Sequence, residues 1–178
     1  MKASRVYNFS AGPGTLPLPV LQRAQDELLG LPGLGMSVLE ISHRSEPFER
    51  IMSSAQNNLR ALLDLPRDYH ILFLQGGATL QFSMVPMNLL RGTGKRADYV
   101  VAGTWGKKAV TEARREGEVR VLWDGETEEF TRMPRRDEWQ PDSEAAYVHI
   151  TSNETIQGLQ LQWDPDAAPA PLVCDMSS

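Results

Sequence analysis

The sequence has 178 residues, 41% of them apolar, which is enough to bury about 70% of the unfolded surface and excludes a peptide or a disordered tail. Its net charge of −5 argues against nucleic-acid binding, and it lacks the run of roughly 20 apolar residues that a membrane-spanning helix needs. The single cysteine, Cys174, and a polar start without a signal-peptide core predict a reducing, cytoplasmic location.

The first 66 residues are predicted to form a turn-rich loop followed by two amphipathic helices. Residues 8–15 are rich in glycine and proline, which favour tight turns. Thr15 is expected to cap a helix that ends in the glycine-rich stretch 30–35. A second helix is expected over residues 46–63, where apolar residues recur at helical spacing until Pro66.

From residue 71 onward, short apolar runs alternate with longer amphipathic segments. A helix that follows Thr79 and a second one over about residues 105–116 are expected between the strands, and residues 124–144 form an irregular excursion. The strands are expected at residues 71–74, 99–101, 119–123, 146–150 and 172–174. This alternation predicts an α/β fold with a largely parallel sheet.

The loops that follow the strands are the candidate binding sites, because ligands of open α/β sheets lie beyond the carboxyl ends of the strands. The first loop, Gly76-Gly77-Ala78-Thr79, opens a helix whose free N–H groups and dipole suit a phosphate, although a simple tight turn is equally compatible. Neither a P-loop nor a dinucleotide-binding fingerprint fits the sequence.

Three later loops carry side chains with ligand-binding chemistry. Trp105 can stack on a flat heteroaromatic ring, although packing on the sheet is the commoner role. Thr155 lies in a polar cluster that by itself indicates only an Asx-type turn. Asp175 ends a strand, where a carboxylate can hold a cationic group or cap a helix.

The histidines divide into one candidate and two structural residues. His43 precedes Arg44 just before a helix, and this pair suits an anionic ligand, with a solvated surface pair as the alternative. His70 and His149 lie at strand positions without metal-ligand spacing and are interpreted as structural. No metal site is predicted.

Six segments, taken in order, resemble the phosphoserine aminotransferase family of class-V, pyridoxal 5'-phosphate (PLP)-dependent aminotransferases. They are Tyr7–Pro13, Ser42–Arg44, Gln75–Phe82, Gly103–Trp105, Asn153–Gly158 and Asp175–Ser178. The resemblance implies the large domain of the aspartate aminotransferase-like fold (fold type I), with a mainly parallel sheet and flanking helices. It further implies a homodimer with shared active sites, and reversible amino transfer between glutamate and 3-phosphohydroxypyruvate in serine synthesis. Some members also use a related phosphorylated substrate in PLP synthesis.

The resemblance also implies roles for individual residues. Ala78 and Thr79 would contact the cofactor phosphate, Trp105 would stack on the pyridine ring, and Thr155 would bond its phenolic oxygen. Asp175 would pair with the pyridinium nitrogen and keep it protonated. His43 and Arg44 would bind the phosphate or carboxylate of the substrate. Some relatives carry an arginine at the position of Thr79, so substrate binding there would depend on Arg44 and on residues outside this chain.

The resemblance implies a further residue, a Schiff-base lysine that follows the Asp175 segment in the family, and none of the four lysines fits that place. The expected organisation is therefore an amino-terminal arm or small-domain segment over residues 1–15 and part of the large PLP-binding domain over 16–178, with the remainder of the large domain and the small domain beyond Ser178. The alternative function is a catalytically inactive amino-terminal fragment. A desulfurase of the same superfamily is disfavoured by His43-Arg44 and by the segment that starts at Asn153. We expect apolar surface to be exposed where further strands would pack.

Overall fold

Four α-helices and six short β-strands form the computed structural model, which describes residues 5–10 and 12–178. Lys2 and Ala11 lie outside the described residues. The chain divides into two compact units, Met1–Phe73 and Leu74–Ser178. The predicted arm over residues 1–15 stays a prediction.

The first unit carries the two predicted helices, α1 (Leu18–Leu29) and α2 (Glu46–Leu62). Both helices begin next to a proline, which is tolerated in a first turn because the N–H that it lacks has no helical partner there. Thr15 does not cap α1, which begins after Pro17. The Thr15 hydroxyl instead donates to the carbonyl oxygen of Asn8 at 3.1 Å and holds the preceding loop.

The second unit is an α/β layer built on a four-stranded parallel sheet. Its helices are α3 (Gly77–Leu89) and α4 (Thr104–Ala113). Its strands are β1 (Arg96–Val101), β2 (Glu118–Asp124), β3 (Val148–Thr151), β4 (Asn153–Glu154), β5 (Leu159–Gln160) and β6 (Leu172–Asp175). The sheet order is β2-β1-β3-β6, while β4 and β5 form a separate antiparallel hairpin. The predicted parallel sheet is confirmed.

The sheet is covered on both faces by different kinds of structure. One face packs against α3 and α4 through a core that contains Phe82, Tyr99, Val110 and Tyr147. The other face, which includes Val100, Ala102 and Ile150, is covered in part by the predicted excursion, which forms two 3₁₀ helices, Gly125–Glu128 and Arg136–Glu138. Burial on both faces explains why β3 reads as a continuous buried run.

The predicted strand at residues 71–74 is wrong in this structure. The segment has no strand pairing, and the side chains of Leu72, Phe73 and Leu74 are exposed. A strand requires a neighbour for its backbone N–H and C=O groups, and none of the described strands pairs with this segment. Across the described residues, none of the helices is long and apolar enough to cross a membrane.

Candidate functional site

The carboxyl ends of β3 and β6 bring three polar side chains onto one face of the sheet. Thr151 lies opposite Asp175 in the parallel register, and His149 lies opposite Val173. Because side chains alternate along a strand, His149, Thr151 and Asp175 all point to the same face. Asp175 and His149 line a cavity of about 340 Å³, together with Ala78 from the first turn of α3.

The Asp175 carboxylate is held at one oxygen only. Its Oδ1 accepts hydrogen bonds from the Ser177 backbone N–H at 3.1 Å and from the Ser177 hydroxyl at 2.6 Å. Within the described part of the chain, no hydrogen bond reaches Oδ2. The strand end therefore presents an oriented carboxylate that can accept a hydrogen bond from a cationic N–H group.

His149 is a buried, neutral imidazole at the wall of this cavity. Its ring stacks on Tyr99 with centroids 4.8 Å apart, and the edge of Phe82 meets it at 6.0 Å. Burial lowers the pKa of His149 to about 4, and the negative charge of Asp175 opposes this only in part. At neutral pH the imidazole can thus offer one N–H donor and one acceptor nitrogen.

Two buried polar atoms on this face have no partner among the described residues. They are Nδ1 of His149 and Oγ1 of Thr151. Buried polar groups are normally hydrogen-bonded, since an unpaired one costs about 1–3 kcal/mol. Their position beside Asp175 identifies this end of the sheet as the place where a polar ligand or ordered water would satisfy them.

The amino terminus of α3 forms the opposite wall of the cavity. The helix begins after Gly76, which has φ of +90°, and no side chain caps it within the described residues. Ala78 faces the cavity with Asp175, whereas the exposed Thr79 lines a neighbouring cavity of about 390 Å³ with Lys107 and Lys108. The first turn of α3 therefore keeps N–H groups that can bind an anion.

The amino terminus of α4, by contrast, is already occupied by side chains of the chain itself. The backbone N–H of Trp105 donates to Oε2 of Glu154 at 2.9 Å, and that of Gly106 donates to Oε1 at 2.7 Å. Gln157 accepts a hydrogen bond from the Thr104 N–H at 3.2 Å. Of the amino termini of α3 and α4, that of α3 has no side-chain cap among the described residues and is left for an anionic ligand.

Trp105 and Thr155 are neighbours of this capped turn. The indole of Trp105 is half-buried, and Nζ of Lys108 lies 4.6 Å from the centroid of its ring. The Thr155 hydroxyl lies 2.5 Å from that of Ser178, which also accepts from the side-chain amide of Asn153 at 2.9 Å. Neither Trp105 nor Thr155 is among the residues that line the cavity of Asp175.

His43 and Arg44 belong to the first unit, in the turn before α2. Both side chains are exposed, and the backbone N–H of Arg44 donates to the Ser42 hydroxyl at 3.2 Å. Their assignment to an anionic substrate stays a prediction. Among the residues described, no cluster of His, Cys, Asp and Glu side chains is arranged to hold a metal ion.

Two residues of this region were not singled out from the sequence. The interpretation of His149 as structural is incomplete, because this side chain lines the cavity with Asp175. Alternation along β3 could have placed it on the same face as Thr151 at a strand end. Glu154 carried no local signal, because the α4 amides that it binds are about 50 residues away in the chain.

Comparison with known proteins agrees with this architecture. Residues 6–173 match the aminotransferase class-V family. The phosphoserine aminotransferase of Bacillus cereus is 53% identical over 174 residues, which are 98% of this chain and 48% of that protein. The phosphoserine aminotransferase structure from Bacillus circulans subsp. alkalophilus superposes with a TM-score of 0.90 at 45% identity, over 96% of this chain and 47% of that one.

A further structure, described as PLP-bound phosphoserine aminotransferase from Trichomonas vaginalis, has a TM-score of 0.82 at 40% identity, again over 96% of this chain and 47% of that one. The chain thus spans about half the length of the relatives that it matches. The match to the family covers residues 6–173, which includes most of both units, the strands β1, β2 and β3 of the parallel sheet, and the first two residues of β6. The chain belongs to the class-V aminotransferase family.

Proposed function

We propose that this chain acts as the amino-terminal half of a phosphoserine aminotransferase. The reaction is the reversible transfer of the amino group of glutamate to 3-phosphohydroxypyruvate, which yields phosphoserine and 2-oxoglutarate. The proposal is supported by relatives at about 50% identity that carry this name. The related phosphorylated hydroxythreonine of PLP synthesis is included as a second substrate. We further propose that the enzyme is a cytoplasmic homodimer with shared active sites.

The single observation that carries the proposal is the cavity between α3 and the ends of β3 and β6. It is lined by Asp175, by Ala78 of the uncapped first turn of α3, and by His149, whose Nδ1 has no partner among the described residues; PLP, a phosphorylated pyridine, would require such groups. Its volume, about 340 Å³, lies at the lower end of the range for small-molecule pockets. The residues present therefore fit the cofactor.

Each predicted contact has a distinct task within this proposal. The Asp175 carboxylate favours the protonated form of the pyridine nitrogen, because an adjacent negative charge stabilises a cation. The first turn of α3, with Ala78 and Thr79, holds the phosphate through backbone N–H groups and the helix dipole. Trp105 orients the ring by stacking, and Thr155 donates to the phenolic oxygen. When bound, PLP supplies an electron-accepting ring and an aldehyde that carries the amino group.

His43 and Arg44 would hold the substrate rather than the cofactor. Arginine matches a phosphate or carboxylate with two parallel hydrogen bonds, which orients as well as binds it. With Thr79 at the phosphate-binding turn instead of the arginine of some relatives, Arg44 becomes the main charged contact that this chain offers to an anionic substrate. Substituting it should raise KM for the phosphorylated substrate more than it changes cofactor binding.

The proton-transferring lysine is the part that this chain does not supply in the cavity. Lys95 precedes β1, while Lys107 and Lys108 belong to α4. None of these described lysines lines the cavity of Asp175. The 178 residues alone are therefore proposed to be catalytically inactive.

The test is an assay of the complete protein that carries these residues, supplied with PLP, glutamate and 3-phosphohydroxypyruvate. We expect phosphoserine and 2-oxoglutarate to form in equal amounts. Asp175→Ala should abolish turnover and weaken PLP retention, whereas Asp137→Asn, at an exposed 3₁₀-helix position, should leave both unchanged. Failure of the complete, PLP-supplied protein to form phosphoserine would refute the proposal. Turnover by the isolated 19.9 kDa chain would refute its inactivity.

A further inference from the structure

The start of α4 is secured by a long-range cap. Gly103, at the N-cap position, has no side chain that could accept the free N–H groups of the first turn. The backbone N–H groups of Trp105 and Gly106 donate to the two carboxyl oxygens of Glu154, at 2.9 and 2.7 Å. Gln157 accepts from the Thr104 N–H and donates to its hydroxyl at 2.9 Å. One hairpin thus satisfies three successive amides of a distant helix.

The glycines of this turn leave room for the cap. A Cβ at position 103 would lie 2.4 Å from Oε1 of Gln157 and 2.8 Å from the Glu154 carboxyl group. At position 106 it would lie 3.2 Å from Oε1 of Glu154 and 3.1 Å from the carbonyl oxygen of Val100. The approach of Glu154 to the backbone therefore depends on the absence of side chains at both positions.

Burial of Glu154 carries a desolvation penalty. Its relative exposure is 0%, and burial raises the pKa of its carboxyl group, while the two amide donors act in the opposite direction. A buried carboxyl group is tolerated only when its oxygens are hydrogen-bonded, and the positive end of a helix dipole favours it further. A neutral turn residue would cap α4 more simply, so this arrangement is expected to serve something beyond the helix.

The two residues next to these hydrogen bonds are both predicted cofactor contacts. The backbone N–H of Trp105 donates to Glu154, and Thr155 follows Glu154 directly in the chain. The glutamate therefore joins the turn that carries the stacking ring to the turn that carries the hydroxyl donor. Two hydrogen bonds, of 2.9 and 2.7 Å, therefore connect the two turns.

We propose that Glu154, assisted by Gln157, is a positioning residue that fixes Trp105 and Thr155 relative to each other for binding of the PLP ring. This inference rests on the proposed function. Glu154 is fully buried and is not among the residues that line the cavity of Asp175. Its contribution is the pre-organisation of two contacts, which lowers the ordering cost of cofactor binding.

The decisive variant is Glu154→Gln in the complete protein that carries this chain. The amide keeps the size of the side chain but replaces one acceptor oxygen with an NH₂ group that faces a backbone N–H. Loss of a charged acceptor of this kind is expected to weaken PLP binding roughly 10- to 100-fold. The measurement is the PLP Kd of the apoprotein, obtained by titration of tryptophan fluorescence.

A second readout reports the position of Trp105 independently of catalysis. With 5-fluorotryptophan incorporated, the Trp105 resonance is assigned through Trp105→Phe, and Glu154→Gln should shift this resonance in the apoprotein. The resonances of Trp139 and Trp163, which pack against each other away from the turn with ring centroids 5.7 Å apart, should stay in place. An unchanged Trp105 resonance in a folded Glu154→Gln variant would overturn the proposal, and a selective shift supports it when PLP affinity falls as well.

The matched control is Asp98→Asn, which also neutralises a fully buried carboxylate of the same unit. Asp98 accepts a 2.7 Å hydrogen bond from Arg120 and is remote from the α4 turn in its contacts. The Asp98→Asn change should lower the midpoint of thermal unfolding but leave the PLP Kd within twofold of the wild-type value. An equal loss of PLP affinity in both variants would overturn the proposal, since general destabilisation would then explain the effect.

A milder variant keeps the test valid if Glu154→Gln fails to fold. Gln157→Ala removes only the Thr104 contacts and should weaken PLP binding roughly threefold, in line with a neutral hydrogen bond. Unchanged PLP affinity in Gln157→Ala, or in a folded Glu154→Gln variant, refutes the positioning role while leaving the proposed function intact. If the wild-type protein does not bind PLP at all, the proposed function fails and this inference fails with it.

Discussion

The buried imidazole of His149 predicts a specific pH dependence of stability. The side chain is 3% exposed and packed against Tyr99 and Phe82, and its pKa in the folded protein is lowered by burial to about 4. In the unfolded chain the same group titrates near 6.5. Between these pH values the unfolded state binds more protons than the folded state, so stability falls as the pH falls through this window.

The magnitude follows from the separation of the two pKa values. It corresponds to about 3 kcal/mol of unfolding free energy, fully present above pH 6.5 and lost by about pH 4. Because the imidazole is almost fully buried, solvent screening does not reduce this figure. At pH 4.5 most of this loss should already have occurred.

The assay is urea unfolding at half-unit intervals from pH 4.5 to 7.5 for the wild type and for His149→Phe. Phenylalanine preserves the aromatic packing but cannot titrate, so the difference between the two curves removes the contributions of all other groups. We expect the variant to lose roughly 2 to 3 kcal/mol less than the wild type over this range. Parallel curves, or a histidine NMR resonance of His149 that titrates near pH 6.5, would refute the reasoning.

Three further predictions concern the core and the α4 turn. Tyr147→Phe should lower the free energy of unfolding by about 1–2 kcal/mol, measured with urea, because it leaves the buried Tyr99 hydroxyl without its 2.6 Å partner. The double variant with Tyr99→Phe should lose less than the sum of the two single changes. Gly103→Ala should lower the thermal midpoint by several degrees because its Cβ would collide with Gln157, whereas Gly30→Ala, with contacts no closer than 3.7 Å, should not. Thr151→Val removes a buried hydroxyl that has no hydrogen-bond partner among the described residues, so the free energy of unfolding should stay the same or rise slightly. A decrease of more than about 1 kcal/mol would show that this hydroxyl does make a hydrogen bond.

The parts of the fold that could be predicted are those with a strong local pattern. Residues 46–63 repeat their apolar side chains at helical spacing, and α2 occupies Glu46–Leu62. The short apolar runs around Val100 and Ile150 gave strands β1 and β3, because buried parallel strands need continuous apolar sequence. Element type followed from pattern, whereas the ends of the strands differed by up to three residues.

The features that could not be predicted depend on partners distant in the sequence. The run 71–74 has the composition of a strand, but a strand forms only where another one pairs with it. Glu154 looked like part of an Asx-type turn, since nothing nearby reveals the helix amides that it binds. Likewise, Asp175 and Ala78 line one cavity because β6 and α3 pack against the same core, which neither local motif reveals.

The long-range cap of α4 also has a consequence for the order of events during synthesis. Trp105 and its acceptor Glu154 are 49 residues apart, so at 5–20 residues per second the glutamate is translated about 2 to 10 s after the tryptophan. For that interval the first turn of α4 frays without its acceptor, since helix–coil exchange is complete within about a microsecond. The nascent chain therefore cannot complete this corner of the sheet until Glu154 has been synthesised.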